Sequence, residues 1–209
     1  MILNLSPIVE GHGEVSAVPI LLRRLWQELV PHLDLRVAPP IRVSRKKLVK
    51  ANELEKAVEF AARQVRPPRA VLVLIDADDD CPAELGPLLM ARARGARSDV
   101  PAGVVLAKRE FEAWFVAAIE SIGGHRGLAQ DLKVVSDPES IGDAKKTLTR
   151  SMAGSRAYSP VGDQPALTAV FNMQLARRRS DSFDKCWREV ERLFAQASRE
   201  AEQKGPESG

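Results

Sequence analysis

Ala70 to Ile75 reads Ala-Val-Leu-Val-Leu-Ile, six apolar residues without polar alternation, and the run stops at Asp76. Such a run suits a strand buried on both faces, which requires helices on both sides of a parallel sheet. The flanking segments supply them. Ile2 to Val9 is a β-type run ending at Glu10, and Gly11-His12-Gly13 reads as a tight turn. Glu14 to Val30 sets Ile20, Leu21, Leu22, Leu25 and Leu29 on one helical face, with Pro19 expected to bend that helix or delay its start. Leu33 to Val43 is a second extended segment, and its Pro39-Pro40 doublet fits an edge strand or a bulge. Asn52, with Glu55 three residues on, predicts an N-capped helix through Val65, stopped by Pro67-Pro68. Pro82 to Arg97 reads as a third helix, Val100 to Ala107 as a fourth strand and Arg109 to Glu120 as a fourth helix. The order βαβαβαβα predicts the α/β class, with a mostly parallel four-stranded sheet, right-handed crossovers and flanking helices.

Past residue 122 the pattern changes. Gly123 to Asp137 is a polar, Gly-containing connection, and Asp143–Met152, Gln164–Ala176 and Ser180–Gln196 read as three helices. The expected organisation is an α/β domain over 1–122, a helical extension packed on it over 123–198, and a polar tail over 199–209 expected to fray. No window approaches 18 consecutive apolar residues, so no membrane span is expected. Met1 to Val9 lacks the charged start of a signal peptide. The only cysteines, Cys81 and Cys186, lie far apart, which points to a reducing, cytoplasmic setting and away from a disulfide or zinc framework. His12, His32 and His125 are too scattered for an imidazole metal site.

The carboxylates are placed more tellingly than they are numbered. In a doubly wound sheet of order 2-1-3-4, strands one and three are neighbours and their carboxyl ends meet where such sheets bind ligands. Glu10 and the run Asp76-Ala77-Asp78-Asp79-Asp80 should therefore converge in one crevice. Carboxylates converging there repel one another unless a cation lies between them. Mg²⁺ (or Mn²⁺) matches an all-oxygen donor set, and the Cys and His of a softer site are missing. Against this, acids after strands commonly cap helices or form turns, and an Asp run is often a solvated loop. Gly11 and Gly13 are either plain turn glycines or positions where backbone N–H groups approach a phosphate.

These segments resemble a known domain. Ile8-Val9-Glu10-Gly11-His12-Gly13-Glu14 after one strand, and Asp76-Ala77-Asp78-Asp79-Asp80 after a later buried strand, resemble the TOPRIM domain of topoisomerases, bacterial primases, recombination-repair proteins and the overcoming-lysogenization-defect (OLD) nucleases. Over roughly residues 1 to 197 the chain resembles, more narrowly, the stand-alone TOPRIM-like family of unknown function DUF4276. The further supporting segments are Pro19-x-Leu21-Leu22-Arg23-Arg24-Leu25, Glu110-x-Glu112-Ala113-Trp114-Phe115, Gly142-Asp143-Ala144-Lys145-Lys146 and Ser180-x-Ser182-Phe183. The resemblance implies a Rossmann-like TOPRIM fold. It implies Glu10 as general acid/base or metal ligand, Asp76 and Asp78 as Mg²⁺ ligands, Asp80 as a third acid, and Glu14 as anchor of a second metal. It further implies an ATPase partner of the ABC or SMC type, encoded nearby in a phage-defence or DNA-repair setting. The chain has no Gly-x-x-x-x-Gly-Lys-Ser/Thr motif of its own for ATP hydrolysis.

Lys108 follows the fourth strand and could contact a phosphate or a leaving oxygen; Glu110 or Glu112 could add a metal ligand, but two positions apart on a helix they cannot both face the crevice. Trp114 and Phe115 are expected in the core. Arg45, Lys46 and Lys47 lie in a basic stretch, a candidate contact for a nucleic-acid backbone or an ordinary solvated face. Thirty-one Lys+Arg against 28 Asp+Glu give a net charge of +3; setting aside Glu10, Glu14, Asp76, Asp78, Asp79 and Asp80 leaves 22 acids and +9. An acidic site ringed by positive surface suits a nucleic-acid enzyme, and the resemblance to TOPRIM enzymes implies DNA more than RNA. Lys145 and Lys146 are either near the sheet edge or plain surface lysines, and Tyr158 sits in a loop with no nucleophilic role expected. The expected function is a metal-dependent phosphodiester hydrolase, in which Glu10, Asp76, Asp78 and Lys108 carry the chemistry and Glu10, Glu14, Asp76, Asp78, Asp80 and Glu112 surround the metal. Gly11, Gly13, Arg45, Lys46 and Lys47 would hold phosphate. The alternative is a catalytically silent metal-binding module of an ATPase; an aspartyl-phosphate site on Asp76 is a third reading.

Overall fold

A computed structural model describes residues 2–31 and 34–203, with side chains through Arg199. His32, the expected strand start at Leu33, and residues 204–209 of the expected tail lie outside the described residues. The strands are β1 (Ile2–Val9), β2 (Asp34–Val37), β3 (Ile41–Arg42), β4 (Arg69–Asp76) and β5 (Ala102–Ala107). The helices are α1 (His12–Leu29), α2 (Arg45–Leu48), α3 (Glu53–Gln64), α4 (Pro82–Ala96), α5 (Ala113–Ala117), α6 (Ala144–Arg150), α7 (Pro160–Val170), α8 (Met173–Arg179) and α9 (Asp181–Gln203).

The class is α/β, with a parallel sheet of order β2-β1-β4-β5 flanked by helices, consistent with a Rossmann-like arrangement. β4 explains why its sequence carries no polar alternation. Ala70, Leu72 and Leu74 enter one apolar cluster with α1, while Val71, Val73 and Ile75 enter a second with α3 and α4. The edge next to β1 is interrupted: β2 pairs with residues 2–5 of β1, and β3 with Ile8 and Val9. The break, Ala38-Pro39-Pro40, lies opposite Pro7. The Asn4 N–H donates to Pro68 on the β4 side, whereas the Leu5 and Val9 carbonyls accept from Ala38 and Val43 on the other. By that alternation Pro7 turns its missing N–H toward the break, so a proline sits inside a central strand without costing the sheet a hydrogen bond.

α1, α3 and α4 alone would leave one face of β4 and β5 open. α9 closes it, with Val190, Leu193, Phe194 and Ala197 in the same cluster as Val105 and Ala107. Gly103 permits this approach, because a Cβ there would stand 2.7 Å from Leu193 Cδ1. The helical region thus shares the main core with the sheet.

Several local expectations change. α1 begins at His12 and runs through Pro19. Asn52 stands before α3 with left-handed φ of 67° and no side-chain cap; Glu55 pairs with Arg92 instead, at 2.7 Å. The expected Gln164–Ala176 helix is two helices, separated at Phe171-Asn172, because Asn172 accepts from the Leu175 N–H and starts α8. The helix expected over Arg109–Glu120 shrinks to Ala113–Ala117. Arg109 takes a left-handed φ of 65°, and Phe111 gives its N–H to Asp76, so the segment turns before it coils. α9 runs to Gln203, past the expected start of fraying. No helix among the described residues is long and apolar enough to cross a membrane.

A carboxylate cluster at the carboxyl ends of the strands

β4 delivers Asp76 to the switch point between β1 and β4, where it is buried. Its Oδ1 accepts the Phe111 N–H at 2.8 Å, which ties the end of β4 to the turn after β5. Its Oδ2 lies 4.0 Å from the Lys145 ammonium. The same ammonium is 2.8 Å from Glu110 Oε1 and 3.4 Å from Glu112 Oε2. Glu110 and Glu112 therefore both face the cluster, contrary to the helical spacing argument, because they precede α5 in a turn. Glu110 also accepts from the Ala144 and Lys145 N–H groups, at 2.9 and 3.2 Å, and so holds α6 in place. Tyr158 donates its hydroxyl to Glu112 Oε1 at 3.0 Å.

Glu14 is buried and spends Oε2 on the N–H groups of Glu10 and Gly11, at 2.9 and 3.0 Å, so it caps the helix it belongs to. Glu10 is half-buried at the end of β1. Its Oε2, like Glu112 Oε2, is a buried oxygen with no hydrogen-bond partner among the described residues. Burial raises the pKa of all four inner acids. For Asp76 the neighbouring Glu14 and Glu112 add to it, and the rise is large. For Glu14 the backbone N–H groups oppose it, for Glu10 the charge of Asp78 adds to it, and for Glu112 the Lys145 charge and the Tyr158 hydroxyl oppose it. Burial disfavours the charged Lys145, yet Glu112, Glu110 and Asp76 outweigh it and hold its pKa above the usual lysine value.

The loop acids stand apart from this centre. Asp78, with left-handed φ of 50°, lies 3.6 Å from Arg45 Nη1, and Arg45 Nη2 also binds Asp80. Asp79 pairs with Arg109 on the surface. Arg45 is thus turned inward to neutralise the Asp loop, while Lys46 and Lys47 are exposed on α2. Lys108 lies 4.0 Å from buried Glu139, on the α9 side of β5. Gly11 has its N–H committed to Glu14. Gly13 is where α1 touches α7, since a Cβ would meet Gln164 Oε1 at 2.1 Å and the Pro160 carbonyl oxygen at 2.7 Å. A phosphate at this turn would have to displace Glu14 from the amides. Among the described residues no group of three or more His, Cys, Asp and Glu stands in metal-holding geometry.

A family model described as a domain of unknown function, DUF4276, matches residues 9–191, from the last residue of β1 well into α9. The chain belongs to the DUF4276 family. No curated protein and no solved structure matches it.

Two features of this DUF4276 chain were hidden in the sequence. The first is Lys145, which the sequence places either near the sheet edge or on the surface and which the structure brings to the cluster. Asp143 accepts from the Lys146 N–H at 2.7 Å and sets the first turn of α6, which aims Lys145 inward. The second is Glu139. It accepts from the Ser180 hydroxyl at 2.6 Å and the Ser182 N–H at 2.9 Å, and Ser182 Oγ accepts from the Trp114 indole at 2.8 Å. The Ser180-x-Ser182-Phe183 segment is therefore the socket that starts α9 beneath the cluster. Phe183 packs edge-on against Trp114, 5.1 Å between ring centroids, and Trp114 and Phe115 are core as expected.

Proposed function

We propose that this DUF4276 protein is a metal-dependent phosphodiester hydrolase acting on nucleic acid, with a TOPRIM-like site at the ends of β1 and β4. The observation that carries the reading is the shortage of positive charge: Asp76, Glu110 and Glu112 share one ammonium, Glu14 adds a further buried acid beside Asp76, and Glu10 and Glu112 each keep a buried oxygen without a hydrogen-bond partner among the described residues. Such a set of hard oxygens fits Mg²⁺ or Mn²⁺. Asp76 and Glu10, with Asp78 at the rim, would hold the ion, and Glu112 or Glu14 would serve a second. The bound ion would supply neutralisation of a phosphodiester and acidification of a water. Lys145 would contribute a fixed positive charge beside the phosphate, and Lys46 and Lys47 would meet the nucleic-acid backbone from the exposed side of α2. Arg45 would set the position of Asp78. The DUF4276 resemblance suggests a partner ATPase of the ABC or SMC type in a DNA-repair or phage-defence setting.

A second reading draws on Lys145 itself. An ammonium among three carboxylates is what a site would contain if a lysine had replaced a cation for structural ends. The protein would then be a catalytically silent module of an ATPase. The deciding experiment incubates supercoiled plasmid, linear duplex, single-stranded DNA and structured RNA with Mg²⁺, Mn²⁺ or chelator, beside the Asp76→Ala/Asp78→Ala variant. The hydrolase reading expects metal-dependent cleavage, with DNA the better substrate, lost by at least about 10²-fold in the variant. Cleavage that survives in the variant, or is absent under every condition, rejects it.

A further inference from the structure

β5 ends the sheet, and its outer edge faces a groove between α4 and α9. The Val71 N–H donates to the Pro101 carbonyl and the Ala77 N–H to the Ala107 carbonyl, across a continuous parallel register. By the alternation of a parallel ladder, residues 101, 103, 105 and 107 turn their peptide groups to β4, and Ala102, Val104 and Leu106 turn theirs outward. Arg192 Nη2 occupies the Ala102 carbonyl at 2.7 Å. Val104 and Leu106 line the groove, which has a volume of about 700 Å³.

The walls define what fits. Residues 81–94 on the α4 side and 181–192 on the α9 side line it. At about 1.5 Å per helical residue these spans run roughly 16–20 Å, the length of a five- or six-residue strand. The α4 wall is small and apolar, with Pro82, Ala83, Gly86, Pro87 and Met90. Cations (Arg94, Lys108, Lys185, Arg188, Arg192) outnumber the acids Glu139, Asp181 and Glu189 along it; Lys185 and Arg192 pair with Glu189, Arg188 with Asp184 and Lys108 with Glu139, which leaves Arg94 without a carboxylate partner among the described residues. A compact ligand would leave much of so long a groove unfilled. A second copy of the chain is disfavoured because its edge is equally recessed between helices and equally basic. A single extended strand matches the length of these walls, and its side chains would alternate between the apolar α4 wall and the basic α9 wall.

We infer that the free edge of β5 is a strand-addition site for an extended partner segment of five or six residues that alternates apolar and acidic side chains. The probe is a fluorescent heptapeptide alternating glutamate and valine, titrated into the full-length protein and read by anisotropy and by amide hydrogen exchange. Saturable binding is expected, with the Val104 and Leu106 amides newly protected. The same peptide N-methylated at alternate backbone positions, or with lysine for glutamate, should bind at least about tenfold more weakly. Arg94→Glu/Arg188→Glu, both at the surface, should weaken binding by about tenfold. Ala83→Trp should block the groove with an unchanged melting temperature. Equal binding of the N-methylated or lysine peptide, or no binding at all, overturns the inference. So does concentration-dependent protection of the Val104 and Leu106 amides without peptide, which would assign the edge to a second copy.

Discussion

Asp76 gives one carboxylate oxygen to a backbone N–H and turns the other toward a lysine that two more acids share. Its pKa is raised by burial, with Glu14 and Glu112 adding to it. Between the unfolded value near 3.8 and the raised native value, the folded protein keeps a proton that the unfolded chain releases. That contribution is favourable at low pH, and stability falls as pH rises through this window. In metal-free protein Asp76→Asn should therefore raise Tm at pH 8 and leave it nearly unchanged at pH 4; each kcal/mol corresponds to about 2–4 °C. Thermal denaturation in chelator at the two pH values tests this, and an equal shift at both would contradict it. Lys145→Met removes the shared cation. Its Tm in chelator should fall, and Mg²⁺ should raise its Tm more than that of wild type, a comparison for differential scanning fluorimetry. A metal response no larger than in wild type would place the ion away from Lys145.

At the scale of elements, the contact of α1 with α7 depends on Gly13, where an added Cβ meets the Pro160 carbonyl oxygen and the Gln164 side chain. Gly13→Ala should cost about 1–3 kcal/mol by overpacking. Gly95→Ala is the control: nothing lies within 4 Å of its Cβ position in α4, so the change should be neutral or stabilising by up to about 1 kcal/mol. Urea unfolding of the pair separates packing from helix propensity. The Gly11-His12-Gly13 turn also shows how one short motif serves two ends. Gly13 fits a helix crossing, and Gly11 donates to the Glu14 carboxylate that closes the helix start.

At the scale of the whole molecule, α9 supplies the layer that the βαβ crossovers leave out, so the sheet domain has no complete core without it. A chain cut before Asp181 should bind a hydrophobic dye and lose near-ultraviolet dichroism; a cooperative, dye-free fold would show that residues 1–180 suffice. Hydrophobic patterning determined β4, its burial on both faces and the broken edge at Pro39-Pro40, because apolar periodicity and proline chemistry act within a few residues of chain; the strand order is the one expected of doubly wound parallel topology. It also brought Glu10 and Asp76 to the same end of the sheet, since parallel topology puts every carboxyl end on one side. Tertiary structure alone decided the rest. Lys145 reaches Asp76 from 69 positions away, Glu139 meets Ser180 across 41, and Arg45 turns inward to Asp78 and Asp80. No local pattern encodes these meetings. They arise because buried charges need partners, and only the packed chain determines which distant partner is within reach.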